Sequence, residues 1–124
     1  MDLKVNNFIN GYIACMLWST SGQTPGGEEL EDLTEYPLSQ DAIDSIKADC
    51  EKFVNNNKDL LSEVYSRPTD YQNAGHDFWL TRNGHGAGFW DRGFGVVGDA
   101  LTARAQGFKE LTPYIGDDEK IYFL

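Results

Sequence analysis

Between His76 and Asp91 the chain gathers most of the side chains on which polar chemistry could be built: His76, Asp77, Arg82, His85 and Asp91. They are interleaved with Trp79 and Trp90 and with Gly84, Gly86 and Gly88. Two histidines and two carboxylates are types that ligate zinc, whose donors must all lie within about 2.3 Å of one ion. A histidine oriented by a carboxylate is the usual arrangement for proton transfer. A glycine-rich run lets bare backbone approach an anion. Spacing limits each of these. The glycines fit neither the dinucleotide-binding nor the P-loop pattern. No nucleophile stands nearby, because Thr81 falls on the other face of the expected element and nothing in the sequence brings Ser19 or Ser66 to it. No catalytic residue is assigned.

The element expected to position these groups is a β-hairpin from about Gly75 to Gly93. Asn83-Gly84 lies between two aromatic-rich runs, and Asn-Gly is the usual two-residue hairpin loop because both central positions need positive φ. Pairing then runs Arg82 with His85, Leu80 with Ala87, Phe78 with Phe89 and His76 with Asp91. Period-2 alternation puts Asp77, Trp79, Thr81, Gly86, Gly88 and Trp90 on the opposite face. In that geometry about six strand steps of roughly 3.3 Å hold His76 and His85 about 20 Å apart, so they share no metal. His76 and Asp91 then read either as a cross-strand pair that fixes register or as an acid–base pair in which Asp91 orients His76. Gly88 opposite Trp79 makes room for the indole. Exposed Trp79 and Trp90 would be anchors for a partner, or a surface for a homodimer.

The remaining elements follow from periodicity. Val5, Phe8, Ile9, Tyr12, Ile13, Met16 and Leu17 form the apolar stripe of a helix over residues 2–18. Gly11 costs that helix roughly 1 kcal/mol unless a neighbour packs closely there. An acidic loop covers about residues 19–38, with Thr24-Pro25-Gly26-Gly27 as its turn. Ser39 is the expected N-cap of a long helix, with Asp41 in its first turn and an interruption at Asn55-Asn56-Asn57. Arg67-Pro68-Thr69-Asp70 ends it. A further helix follows Gly93-Phe94-Gly95, and a strand pair closes the chain around Gly116-Asp117-Asp118. The expected fold is therefore α+β, one domain over residues 1–124. It has two N-terminal helices, a central Asn-Gly hairpin, a third helix, and a C-terminal strand or hairpin, forming a small antiparallel sheet packed on the helices.

Composition narrows the function. A hydrophobic content of 40% across 124 residues suits one folded domain. The apolar stretch from Phe8 to Trp18 lacks a basic leader and a small-residue cleavage site and is too short to span a bilayer. No membrane association and a cytoplasmic site are therefore expected. Cys15 and Cys50 fall on apolar stripes and read as buried free thiols. The net charge is −10, and Glu28 to Glu63 holds 11 acids against Lys47, Lys52 and Lys58, a net of −8. Direct nucleic-acid binding is disfavoured, since phosphate affinity needs clustered Lys and Arg. No cofactor is implied.

The run from Ala74 to Gly93, AGHDFWLTRNGHGAGFWDRG, resembles a segment of small proteins encoded by tailed bacteriophages. The likeness extends more weakly to Asp49-Cys50-Glu51-Lys52-Phe53 and Tyr114-Ile115-Gly116-Asp117-Asp118, and omits Gly22 to Glu35. It implies a phage origin, hence the cytoplasm of an infected bacterium, and carries over no activity. Two readings follow. In one, the acidic face at Glu28, Glu29, Glu31, Asp32, Asp41, Asp44, Asp49 and Glu51 mimics a phosphate backbone and inhibits a host protein with a basic nucleic-acid-binding surface. In the other, His76, Trp79, Arg82, His85, Trp90 and Asp91 form a site for a small molecule or nucleotide, in a binding protein or a small hydrolase.

Overall fold

In the computed structural model, which describes residues 2–86 and 88–124, helix α1 spans Leu3–Ser19. The Asp2 carboxylate accepts the N–H groups of Lys4 (2.9 Å) and Val5 (3.2 Å), two donors that the first helical turn leaves without partners. Its stripe of Val5, Phe8, Tyr12, Cys15 and Met16 is buried. A two-residue antiparallel ladder follows, β1 (Gly22–Gln23) with β2 (Glu29–Leu30), closed by the expected turn at residues 24–27. Residues 22–30 of the expected acidic loop are thus a small hairpin.

Ser39 caps α2 (Gln40–Asn56), its hydroxyl accepting the Ala42 N–H at 3.1 Å. Asn57 ends that helix and precedes α3 (Lys58–Val64), so the expected interruption occurs within the asparagine run. Beyond the 3-10 turn at Pro68–Asp70 lies α4 (Tyr71–Arg82), then a 3-10 turn at Phe89–Asp91, and α5 (Val96–Gln106). Strands β3 (Pro113–Ile115) and β4 (Ile121–Phe123) pair antiparallel. Leu38, at the entrance to α2, bridges to Ile121 and ties this pair to the helices.

The α+β class and the closing strand pair are as expected; the central hairpin is not. Residues Tyr71–Arg82 are helix, and Asn83-Gly84 is its C-terminal cap. Gly84 takes φ +71, its N–H reaches Thr81 O (3.2 Å), and the His85 N–H reaches Leu80 O (2.9 Å). This pair of bonds is a Schellman cap. A left-handed glycine after asparagine serves a helix end as well as a hairpin loop, which is why the dipeptide misleads. None of the expected cross-strand pairs involving described residues exists, and Ala87 lies outside the described residues. The only sheets among the described residues are the two small ladders.

Helix α4 is buried on nearly every side, as befits a helix at the centre of a core. It crosses α1 at two glycines. A methyl group on Gly11 would overlap the Gln72 carbonyl oxygen, and one on Gly75 the Phe8 carbonyl oxygen. The close neighbour that Gly11 requires is therefore α4. Phe8, Phe53, Phe78, Phe89 and Phe108 form the aromatic centre of the core, with Phe53 stacked on Phe78 at 4.3 Å between ring centroids.

Candidate functional site

Three surfaces merit description: the acidic face, a buried carboxylate centre on α4, and a groove between α1 and α4. On the first, Glu28, Glu29, Glu31, Asp41, Asp44 and Glu51 are exposed. Asp41, Asp44 and Glu51 recur at helical spacings of three and seven along the outer side of α2, so their carboxylates share one face, rising about 4.5 and 10.5 Å along the axis. Among the described residues none of these six pairs with a lysine or arginine. Asp32 is folded back on Thr34, accepting its N–H (3.1 Å) and hydroxyl (2.7 Å), which holds its carboxyl below the ordinary range. Asp49 differs from its expected role. It turns towards the interior and pairs with Arg82 at 2.8 Å, so its charge is compensated.

The fold adds acids that sequence distance concealed. Asp117, Asp118 and Glu119, at the tip of the β3–β4 turn, meet Glu28 and Tyr36 around an open cleft of about 470 Å3. The Asp118 carboxylate accepts the Tyr122 hydroxyl at 2.6 Å, a bond that holds its carboxyl below the usual range. Exposed acids therefore lie on α2 and on both hairpins, and the two hairpins bring theirs together around the cleft. In the sequence Gly116-Asp117-Asp118 signalled only a turn.

The expected ligand residues are dispersed by the helix. Trp79 is 2% exposed and donates its indole N–H to the Ser19 hydroxyl (3.2 Å), so it is neither a surface anchor nor a dimer contact. Arg82 is also buried. Its guanidinium donates to Asp49, the Tyr12 hydroxyl (3.1 Å), and the carbonyls of Phe108 and Lys109 (2.9 Å each), and lies over the rings of Phe78 and Phe108. It joins four segments and offers little to a ligand. His85 is exposed beyond the cap, and Trp90 and Asp91 are exposed on the 3-10 turn. The expected His76–Asp91 pair is replaced by His76 and its neighbour Asp77.

Asp77 is the buried carboxylate of α4. Its carboxylate accepts the Tyr65 hydroxyl (2.7 Å) and Arg92 through Nη2 (2.6 Å) and Nε (3.1 and 3.2 Å), and lies 3.4 Å from His76 Nδ1. Burial and the adjacent carboxylate push the Tyr65 phenol far above its ordinary range. A cleft of about 380 Å3 lies over this centre, lined by Tyr65, Asn73, Arg92 and Phe94 among others. Sequence reasoning placed Asp77 on the wrong face and gave Tyr65 and Arg92 no role. Their partners are distant in the chain, and no local pattern announces them.

The third surface is a groove of about 420 Å3 lined by Gly11, Ala14, Cys15 and Trp18 of α1 and by Gln72, Asn73 and His76 of α4. Trp18 is 72% exposed. Cys15 and Cys50 are free and buried, as expected. Burial pushes the Cys15 thiol up to about 11, so at neutral pH it stays protonated and is a poor nucleophile. No helix among the described residues is long and apolar enough to cross a membrane. Comparison of the chain with protein-family models, with curated proteins and with solved structures finds no match.

Proposed function

We propose that this chain is a phage-encoded acidic binding protein that occupies the basic nucleic-acid groove of a host enzyme in the bacterial cytoplasm and inhibits it by competition. The observation that carries the reading is the set of exposed carboxylates that make no ion pair among the described residues, three of them on one face of α2. Glu28, Glu29, Glu31, Asp41, Asp44 and Glu51 stand exposed without a basic partner among the described residues, and Asp117, Asp118 and Glu119 extend them across the cleft. Such a surface steers a cationic partner by long-range attraction and competes with nucleic acid for the same groove. The acids on α2 sit on a regular helix, so their spacing is fixed before binding.

The test is capture of host proteins at low salt by the wild type and by the triple charge reversal Asp41→Lys, Asp44→Lys, Glu51→Lys, with elution by duplex DNA. The expected result is a nucleic-acid-handling enzyme that the wild type retains and inhibits, that DNA displaces, and that the variant fails to hold. Capture that survives both charge reversal and DNA competition refutes the reading.

A further inference from the structure

Separate from the acidic face, the groove between α1 and α4 has the character of a small-molecule site. Its floor consists of Gly11, Ala14 and Cys15, and at Gly11 the two helices approach too closely for a side chain. Positions 11, 14, 15 and 18 share one face of α1, and positions 72, 73 and 76 share one face of α4. Trp18 stands at one end with most of its indole in solvent, unusual for a side chain of that size. The Gln72 and Asn73 amides, each with donors and an acceptor, make no hydrogen bond within the described chain.

The third polar group is pre-set. Arg92 pairs with the Asp77 carboxylate, and His76 Nδ1, which faces that carboxylate at 3.4 Å, is the ring nitrogen placed to donate to it. In the neutral imidazole Nε2 is then an acceptor. His76 keeps 37% of its side-chain surface exposed while lining the groove. The walls therefore combine an aromatic face, two unpaired amides and an oriented acceptor.

We propose that this groove binds an amino-bearing nucleobase, as the free nucleoside: the base stacks on Trp18, its edge is read by Gln72 and Asn73, and its amino group donates to His76. Base–aromatic stacking serves any base, while asparagine and glutamine amides match the donor–acceptor edge of a base. The lining contains no Lys or Arg, and the chain carries −10, so a polyanionic strand or a triphosphate has no counter-charge here. The volume lies in the range of small-ligand sites.

The experiment is calorimetric titration with adenosine, cytidine, uridine and adenosine monophosphate. Wild type is compared with Trp18→Ala, Asn73→Ala and His76→Leu, with sedimentation measured in parallel. Adenosine and cytidine should bind more tightly than uridine, and the monophosphate no better than adenosine. Trp18→Ala should weaken binding about tenfold or more, Asn73→Ala should weaken it, and His76→Leu should remove the preference over uridine. These side chains are exposed or half-exposed, so the variants should fold, as circular dichroism will verify. Absence of binding at millimolar nucleoside, binding unaffected by Trp18→Ala, or a dimer that dissociates in Trp18→Ala while no nucleoside binds each overturns the proposal. The α2 charge-reversal variant should bind nucleoside like the wild type, so failure of the acidic-face reading and failure of this one are read separately.

Discussion

Gly75→Ala should destabilise the protein, although alanine in a helix interior is ordinarily better than glycine by about 0.8–1.0 kcal/mol. The Cβ it adds would overlap the Phe8 carbonyl oxygen and lie 2.8 Å from the Phe8 carbonyl carbon and 2.9 Å from the Tyr12 nitrogen. All three are backbone atoms of α1, which cannot rotate away as a side chain would. Relief requires α1 and α4 to separate, disturbing the contact of Phe78 with Phe8 and Tyr12. Overpacking of this kind costs about 1–3 kcal/mol. With backbone on the opposing side the upper figure applies, and subtracting the propensity gain leaves a net loss of about 2 kcal/mol, or roughly 8 °C in Tm for a domain of this size. Urea unfolding followed by tryptophan fluorescence measures it, because Trp79 lies beside the crossing. Gly26→Ala is the control, since its nearest neighbour would be Thr24 Oγ1 at 3.8 Å. Gly11→Ala should repeat the loss from the other helix, and the double variant should lose less than the sum, because one displacement relieves both overlaps. A Gly75→Ala protein as stable as the wild type refutes the close crossing.

Two further outcomes follow from the buried polar groups. Arg82→Met leaves the Tyr12 hydroxyl and the Phe108 and Lys109 carbonyls without their donor, and should cost about 3–5 kcal/mol in denaturant unfolding; the half-buried Asp49 can rehydrate, so Asp49→Asn should cost less. Stability should also fall in alkali. Burial raises the Cys15 thiol from 9.0 to about 11 and pushes Cys50, Tyr12 and Tyr65 up as well. The unfolded chain therefore releases these protons at lower pH than the native one. The native state then binds more protons, and stability is full below pH 9 and declines as pH rises towards 11. Unfolding midpoints that stay level between pH 8 and 11 would contradict the burial of these groups.

How much of this was legible in the sequence depends on how local each signal was. The α1 stripe, the Ser39 cap, the break in the asparagine run and the closing turn at Gly116 are short-range features, and each appears where expected. The failure at α4 is also physical. Tyr71, Ala74, Gly75, Phe78, Trp79 and Arg82 recur at helical spacing, yet two of these six are a glycine and an arginine, which a search for apolar residues passes over. Gly75 is there because α1 comes too close for a side chain, and Arg82 because four segments converge on its guanidinium. Both reasons lie in the tertiary structure, as does the assembly of Tyr65, Asp77 and Arg92, or of Glu28 with Asp117 to Glu119. Tertiary packing also overrides the β preference of an aromatic-rich run such as Asp77 to Thr81.

The buried ion pairs leave the charge excess of the chain untouched. Arg82 and Arg92 pair with Asp49 and Asp77. Each of these two ion pairs carries no net charge, so the excess of −10 is left to side chains outside them. Folding gains nothing from that excess, because exposed like charges repel. The exposed carboxylates of Asp41 and Glu51 make no hydrogen bond among the described residues, and that of Asp44 only one, from Gln40. Reversing Asp44 and Glu51 should therefore leave the unfolding midpoint level or raise it slightly, while Asp41→Lys should cost about 1 kcal/mol because it places a cation at the N-terminus of α2; a marked loss from the first two would mean that the face serves the fold rather than a partner.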